Sequence, residues 1–298
     1  MAASRVVIVR ASNPPRRPED FDPKVIERMY DRGMRLLTGL TSAAEAVRSV
    51  FSPSDRVGIK VNAIAAPELA TGPAVSLPFA RLLSGAGIPP RNIVVWDRTN
   101  RELTDAGYKL NLEPGAVQVY GTDTAGAGYA SEPAQHRGIA SLFSTIMTDR
   151  LTASVSFAIL KDHGMAGVTA GMKNYFGAIH NPNKYHDDHC DPFVADLSDA
   201  PPVKSRHRLT ILDALLVQYH RGPSYNPRWA EPAGSLVFSL DPVAADAVGW
   251  RMIERLRAAK GLPSLEEDGR PPLHIPTAEK LGLGRARETD IQVIEERV

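Results

Sequence analysis

Histidines and potential metal ligands are concentrated in one stretch of this chain. Residues 161–196 read KDHGMAGVTAGMKNYFGAIHNPNKYHDDHCDPFVAD and contain four of the eight histidines and the only cysteine. Two prolines, Pro182 and Pro192, keep the stretch from forming one continuous helix, so it can fold as a loop around an ion. Imidazole and carboxylate ligands together suit Fe²⁺ or Zn²⁺. The stretch therefore predicts a transition-metal site, unless it is a solvated polar loop that binds nothing; the predicted ligands are His163, His180, His186, His189 and Asp187.

Lysines on either side of a glycine-rich segment predict a second kind of chemistry. Lys161 and Lys173 flank GMAGVTAGMKN, whose small residues let the backbone approach an anion closely. Lys161 and His163 follow the apolar run SVSFAIL two positions apart, so a continuing strand places both on one face and Asp162 on the other. We predict Lys161, His163 and Lys173 as catalytic residues; the alternative for Lys173 is a surface lysine whose stem packs on apolar groups.

Several other polar residues stand where strands are expected to end. Ligands of open α/β sheets bind beyond the carboxyl ends of the strands. The alternating stretch RVGIKVN (56–62), the buried run NIVVWD (92–97) and the run LTIL (209–212) each end near a polar side chain. We expect the substrate to contact these polar side chains and one more beside Lys173, namely Lys60, Asn62, Asp97, Asn174 and Asp213.

Strand and helix patterns alternate along the whole chain. Helical spacing is expected at 24–40, 77–87, 139–151 and 243–256, the last with Asp241 as its N-cap and Pro242 in its first turn. This alternation predicts an α/β fold: a single domain over residues 1–298 with a mostly parallel, or mixed, central sheet flanked by helices. Residues 161–196 form its histidine-rich active-site segment.

Composition limits the classes of partner. Thirty-five basic and 34 acidic residues leave a charge of +1, which favours a small-molecule substrate over nucleic acid or an anionic membrane; a homo-oligomer stays open. The chain has no Walker A, G-x-G-x-x-G or H-E-x-x-H motif, so it shows no nucleotide motif. No signal-peptide pattern is present, so the chain as written is expected to be cytoplasmic, with an exported mature form left open.

The chain resembles the DUF362 family, a group named as a domain of unknown function. The resemblance rests on VGIKVN, NIVVWD, FAILKDHGMAGVTAGMKNYFGAIH, FVADL, LTILDAL and SLDPVAADAV, and spans about Val6 to Met252. Many members carry a cysteine-rich cluster segment, which a chain with one cysteine lacks, so no iron–sulfur cluster is expected here. The family's recurrent polar positions fall on Lys60, Asn62, Asp97, Lys161, His163, Lys173, Asn174, Asp196, Asp213, Asp241 and Asp246.

Three functions fit these patterns. The leading hypothesis is a metal-dependent enzyme that acts on a small anionic or carbonyl-bearing substrate, and the family's association with iron–sulfur modules favours an iron-dependent oxidoreductase over a hydrolase or an isomerase. The second is a non-catalytic module that binds a phosphorylated or carboxylated ligand. The third is a metal-free acid–base isomerase or cyclase that uses His163 and Lys161.

Overall fold

One mixed sheet forms the centre of the molecule. The computed structural model describes residues 3–298. The strands are β1 (Ser4–Arg10), β2 (Val57–Lys60), β3 (Ile93–Asp97), β4 (Gln118–Gly121), β5 (Ala134–His136), β6 (Ile139–Ser141), β7 (Ala153–His163), β8 (Gly167–Thr169), β9 (His207–Gln218), β10 (Ala230–Glu231), β11 (Ser235–Ser239) and β12 (Ile291–Arg297). The main sheet has the order β12-β1-β11-β9-β7-β2-β3-β4, while β8 and β10 pair on β7 and β9 and the β5–β6 hairpin stands apart.

Five neighbouring strands of this sheet are parallel. They are β9, β7, β2, β3 and β4, whereas β11 runs antiparallel to both β9 and β1. Their carboxyl ends therefore lie at one edge. The predicted α/β class with a mixed, mostly parallel sheet is confirmed.

Helices cover both faces of the sheet. They are α1 (Pro23–Thr38), α2 (Ala43–Val50), α3 (Pro73–Gly85), α4 (Asn100–Asp105), α5 (Phe193–Asp199), α6 (Pro201–Lys204), α7 (Pro242–Ala259) and α8 (His274–Lys280). Two large apolar clusters result: α1, α2 and α3 enclose one with alternate residues of the strands, and α5, α7 and α8 enclose the other. Because both faces are covered, all eleven residues of β7 are buried.

The helix ends follow the expected capping chemistry. Asp241 accepts hydrogen bonds from the backbone N–H groups of Val243 and Ala244, both at 2.9 Å, and Pro242 occupies the first turn of α7. The predicted N-cap is thus confirmed. At the C-terminus of α1, Gly39 ends the helix with φ of 77°, a left-handed conformation that glycine adopts without strain.

Two predicted element boundaries are wrong. The segment 139–151 is not a helix, because it begins with β6, which pairs with β5, and ends in one π-helical turn over residues 146–150. The strand predicted at 209–212 continues to Gln218, so Asp213 lies inside β9 and not at its end. Among residues 3–298, no helix combines the length and apolar character needed to cross a bilayer.

Candidate functional site

A cavity of about 650 Å³ opens at the carboxyl ends of β2, β3 and β7. Loops after β2, β3 and β9, the β7–β8 turn and the segment 173–186 contribute its walls. Eight of the residues predicted from the sequence to form the site line this one cavity: Lys60, Asn62, Asp97, Lys161, His163, Lys173, Asn174 and His186.

Lys161 is the unusual residue of the cavity. It lies near the end of β7, only 1% of its surface is exposed, and its Nζ has no hydrogen-bond partner among the described residues. Burial, reinforced by the nearby charge of Lys173, lowers the pKa of Lys161 to about 7. A buried amine without a partner is costly, so this position is poorly explained by packing.

His163 shares a face of β7 with Lys161, as the strand alternation predicts. Its Nδ1 accepts hydrogen bonds from the backbone N–H groups of Met165 (3.2 Å) and Ala166 (3.1 Å). Because Nδ1 accepts, the neutral ring carries its proton on Nε2. Burial, together with neighbouring Lys173, holds the pKa of His163 well below its usual range, so the ring is a neutral donor through Nε2.

Lys173 begins a short 3-10 segment, Lys173–Ala178, and is also buried. Its Nζ lies 3.1 Å from Nε2 of His186 and 4.3 Å from the ring centre of Phe176. The Nδ1–H of His186 donates to the Pro182 carbonyl (3.0 Å), which leaves Nε2 free to accept from Lys173. Burial lowers the pKa of Lys173 to about 8. Lys173 thus has a neutral partner in His186 and forms no ion pair with a carboxylate among residues 3–298.

Lys60 and Asp97 form a self-contained ion pair at the floor of the cavity. Lys60 Nζ lies 2.6 Å from Asp97 Oδ1, and the two side chains are 1% and 6% exposed. The other carboxylate oxygen of Asp97 accepts from Ala63 N (2.8 Å). Asn174 joins the pair to the sheet, since its Nδ2 donates to the Lys60 carbonyl (2.8 Å). The charge of Lys60 is therefore already neutralised.

The glycine-rich segment is held from behind by Asp246 on α7. This fully buried carboxylate accepts from Gly171 N (2.7 Å) and Met172 N (3.0 Å), immediately before Lys173. Burial raises the pKa of Asp246 to about 7 despite these two donors. Asp246 thus positions the segment that carries Lys173, and its place five residues into α7 gave no sequence signal for this contact.

Asp162 points away from the cavity into a different ionic network. Its carboxylate accepts from Gly222 N (2.7 Å) and from Arg270 (2.9 Å), and Arg257 lies 3.7 Å away. This arrangement agrees with the predicted strand register. It also anchors the loop after β9 to β7.

The remaining predicted residues do not converge on the cavity. Asp213 is fully buried inside β9, where burial raises its pKa to about 7, and it is not part of the cavity wall. His180 is exposed and meets the ring of Tyr129 edge-on, while Nδ1 of His189 lies 3.2 Å from the Met165 carbonyl. Asp187 is exposed.

The predicted metal ligands are consequently spread over the loop. Only His163 and His186 come together, with stacked rings whose centres are 5.6 Å apart. Within residues 3–298, no group of three or more His, Cys, Asp or Glu side chains is arranged to hold a metal ion. Metal binding by this loop therefore stays a prediction.

One residue of this region was missed entirely by sequence reasoning. His274 on α8 is fully buried, and neither ring nitrogen has a partner among the described residues. Burial and the charge of Lys173 lower the pKa of His274 to about 3, and His274 in turn contributes to the low pKa of His163. Its distance along the chain from residues 161–196 left no pattern that could indicate this proximity.

Comparison with known proteins assigns the family. The family model described as "Domain of unknown function (DUF362)" matches residues 57–251, which is more than half of the chain. The chain belongs to the DUF362 family. The match spans every residue named above as lining the cavity, from Lys60 to His186.

Other comparisons add little. No curated protein matches the chain. A crystal structure of a Thermotoga maritima protein from the Northeast Structural Genomics Consortium is similar, with a TM-score of 0.45 and 10% identity over 82% of this chain and 60% of that one. The chain thus spans less than two thirds of that protein, and a likeness this weak carries no argument about DUF362 function.

Proposed function

We propose that this chain is an acid–base enzyme that binds a small anionic, carbonyl-bearing substrate in the cavity at the ends of β2, β3 and β7. The observation that carries the proposal is the Nζ of Lys161, which is buried in the cavity wall without a hydrogen-bond partner among the described residues. A substrate oxygen would supply the missing partner. A strand end that simply extends into water would not leave a lysine only 1% exposed.

The charges of the cavity favour an anion. Lys161 and Lys173 both line it, and neither is paired with a carboxylate in the described chain. Of the three carboxylates that line the cavity, Asp97 is already bound to Lys60, Glu68 is exposed to water and Glu102 is half-buried. Lys173, and Lys161 when it is protonated, are buried cations without an ion-pair partner among the described residues, and they attract a carboxylate or phosphate more strongly than they would in water.

Acid–base chemistry follows from the protonation states of these groups. An amine whose pKa is about 7 is present in its free-base form in substantial amount near neutral pH, so Lys161 can abstract a proton. The neutral Nε2–H of His163 can donate to a carbonyl oxygen and stabilise the negative charge that develops there. Lys173, with the higher pKa, supplies positive charge for the anionic group of the substrate. The expected reaction class is proton abstraction next to a carbonyl, as in an isomerase.

This proposal uses no metal step. The metal-dependent oxidoreductase predicted from the histidine-rich loop needs at least three converging ligands, and the described residues bring only His163 and His186 together. The Nδ1 of His163 is occupied by two backbone donors, so its ring would ligate through Nε2 only after losing the proton that Nε2 carries.

Two measurements on the same variants test the proposal. Calorimetric titration with pyruvate and with inorganic phosphate measures anion binding, and proton NMR in D₂O measures exchange of the pyruvate methyl protons. We expect Lys161→Met to slow exchange by about 10² or more, the usual contribution of a positioned base. Lys109→Met, which changes an exposed lysine outside the cavity, is the matched control and should behave as wild type.

The two readouts separate the alternatives. If the anions bind but the methyl protons of pyruvate do not exchange, the protein is a non-catalytic anion-binding module and not an enzyme. Failure of both anions to bind, or equal exchange by the wild type and Lys161→Met, would contradict the proposal.

A further inference from the structure

The rim of the cavity carries two exposed apolar side chains as well as the exposed carboxylate of Glu68. Ile64 lies on the loop after β2 and is 63% exposed, and Met165 lies in the β7–β8 turn and is 47% exposed. Both line the same cavity as Lys161 and Lys173. Single exposed apolar side chains are common on protein surfaces. Two of them on separate loops around one cavity indicate that an apolar group of a ligand binds between them.

The apolar rim is supported from below. Tyr225 and Ala65 also line the cavity, and both pack against a small buried cluster of Leu69, Ile159 and Leu216. This cluster connects the loop after β2 to strands β7 and β9. The apolar side of the opening is therefore backed by the sheet.

We propose that the substrate is an amphipathic anion, whose carboxylate or phosphate binds Lys173 and whose branched alkyl or aromatic group covers Ile64, Met165 and Tyr225. This inference rests on the proposed function and names the class of substrate for it. A volume of about 650 Å³ lies within the range of about 300–1,000 Å³ that holds drug-sized ligands, and a three-carbon acid leaves most of it empty.

The affinity of a series of anions should reveal the apolar contact. When a large apolar group of the ligand or of the protein is buried on binding, the affinity rises about tenfold or more. We therefore expect phenylpyruvate and 4-methyl-2-oxopentanoate to bind at least tenfold more tightly than pyruvate. All three carry the same 2-oxo acid group, so the ratio of dissociation constants isolates the apolar part.

Variants at the rim show whether that preference arises here. The side chains of Ile64 and Met165 are exposed, and the recorded hydrogen bonds of Met165 use only its backbone, so Ile64→Asn and Met165→Gln should fold normally. We expect the double variant to reduce the phenylpyruvate-to-pyruvate affinity ratio to within about threefold of one. Leu112→Asn, at a position that is 55% exposed and lies outside the cavity, should keep the wild-type ratio.

The outcomes distinguish this inference from the proposed function. If none of the three acids binds, the proposed function fails. If all three bind with similar affinity, or if the preference survives in the double rim variant with circular dichroism unchanged, the amphipathic substrate is wrong and the anion site stands.

Discussion

The buried pair of Lys60 and Asp97 offers a prediction whose magnitude the structure sets. The pair is 2.6 Å long and almost completely shielded from water. Removing one partner of such a pair leaves the other charge buried without compensation, which costs about 3–5 kcal/mol. We expect Asp97→Asn to lower the free energy of unfolding by about this amount.

The same cost can be expressed as a melting temperature. With an unfolding entropy of about 2.1 cal/mol/K per residue and 298 residues, a loss of 1 kcal/mol lowers the melting temperature by less than about 2 °C. The Asp97→Asn variant should therefore melt roughly 5–8 °C below wild type. Lys60→Met should cost a similar amount, because each charge keeps two neutral hydrogen-bond partners when the other is removed: Asp97 keeps the backbone N–H groups of Ala63 and Arg98, and Lys60 keeps the Val61 carbonyl and Asn174 Oδ1.

A double-mutant cycle checks the reasoning. Once Asp97 is neutral, Lys60 keeps only neutral acceptors, the Val61 carbonyl (2.7 Å) and Asn174 Oδ1 (3.3 Å), and its charge is uncompensated. Adding Lys60→Met should therefore recover part of the stability that Asp97→Asn loses. Urea and thermal unfolding of the wild type, both single variants and the double variant give the coupling energy. Strictly additive losses, or an Asp97→Asn variant as stable as wild type, would refute the account of this pair as a self-contained structural element.

Three further predictions concern the surroundings of the cavity. Gly177→Ala should lower the free energy of unfolding by about 1–3 kcal/mol, because a Cβ there would lie 2.7 Å from Lys60 Nζ. Gly115→Ala, where a Cβ would have no atom within 4 Å, should not lower it; urea unfolding of both variants measures the difference, and equal stability would contradict the packing argument. Sulfate, whose charge is constant between pH 6 and 9, should bind best below pH 7 and more weakly as the pH rises through 8, because Lys161 and Lys173 lose their protons with pKa values of about 7 and about 8. An affinity that calorimetry finds constant from pH 6 to 9 would contradict protonated lysines as the anion site. Treatment with a chelator should leave pyruvate proton exchange within twofold of the untreated rate, and a loss that Fe²⁺ or Zn²⁺ restores would revive the metal site predicted from the histidine-rich loop.

Local patterns predicted which polar side chains of separate strands lie around one cavity. Lys161, His163, Lys60 and Asp97 stand at the ends of apolar runs typical of buried strands, and parallel strands bring their carboxyl ends to one edge of the sheet. The two-residue period of a strand was sufficient to separate Lys161 and His163 from Asp162. These residues are near one another because the backbone alone places them there.

Contacts between distant segments were not predictable in the same way. Asp213 was expected at a strand end because the apolar run LTIL stops there, but β9 continues through a second apolar run, ALLV, to Gln218. Segment 139–151 has helical spacing of apolar residues, yet pairing with β5 determined its structure. Asp246 and His274 act on the cavity from helices far along the chain, and no local pattern encodes those contacts.

The density of histidines in residues 180–189 indicated more convergence than the loop shows. Imidazoles close in sequence ligate one ion only when the backbone turns them toward a common point. Here His186 turns inward to Lys173, while His180 is exposed beside Tyr129 and His189 lies against the Met165 carbonyl. Composition identified the segment, and backbone conformation decided what its side chains contact.

The protonation of Lys161 tests the central claim most directly. Lysine labelled with ¹³C at Cε gives one NMR signal for each residue, and Lys161→Met identifies the signal of Lys161 by its loss. We predict that this signal titrates with a midpoint near pH 7 and that saturating phosphate moves the midpoint upward, because a bound anion favours the ammonium form. A midpoint near the ordinary value of about 10.4, unchanged by phosphate, would show that Lys161 is solvated and is neither an anion ligand nor a base.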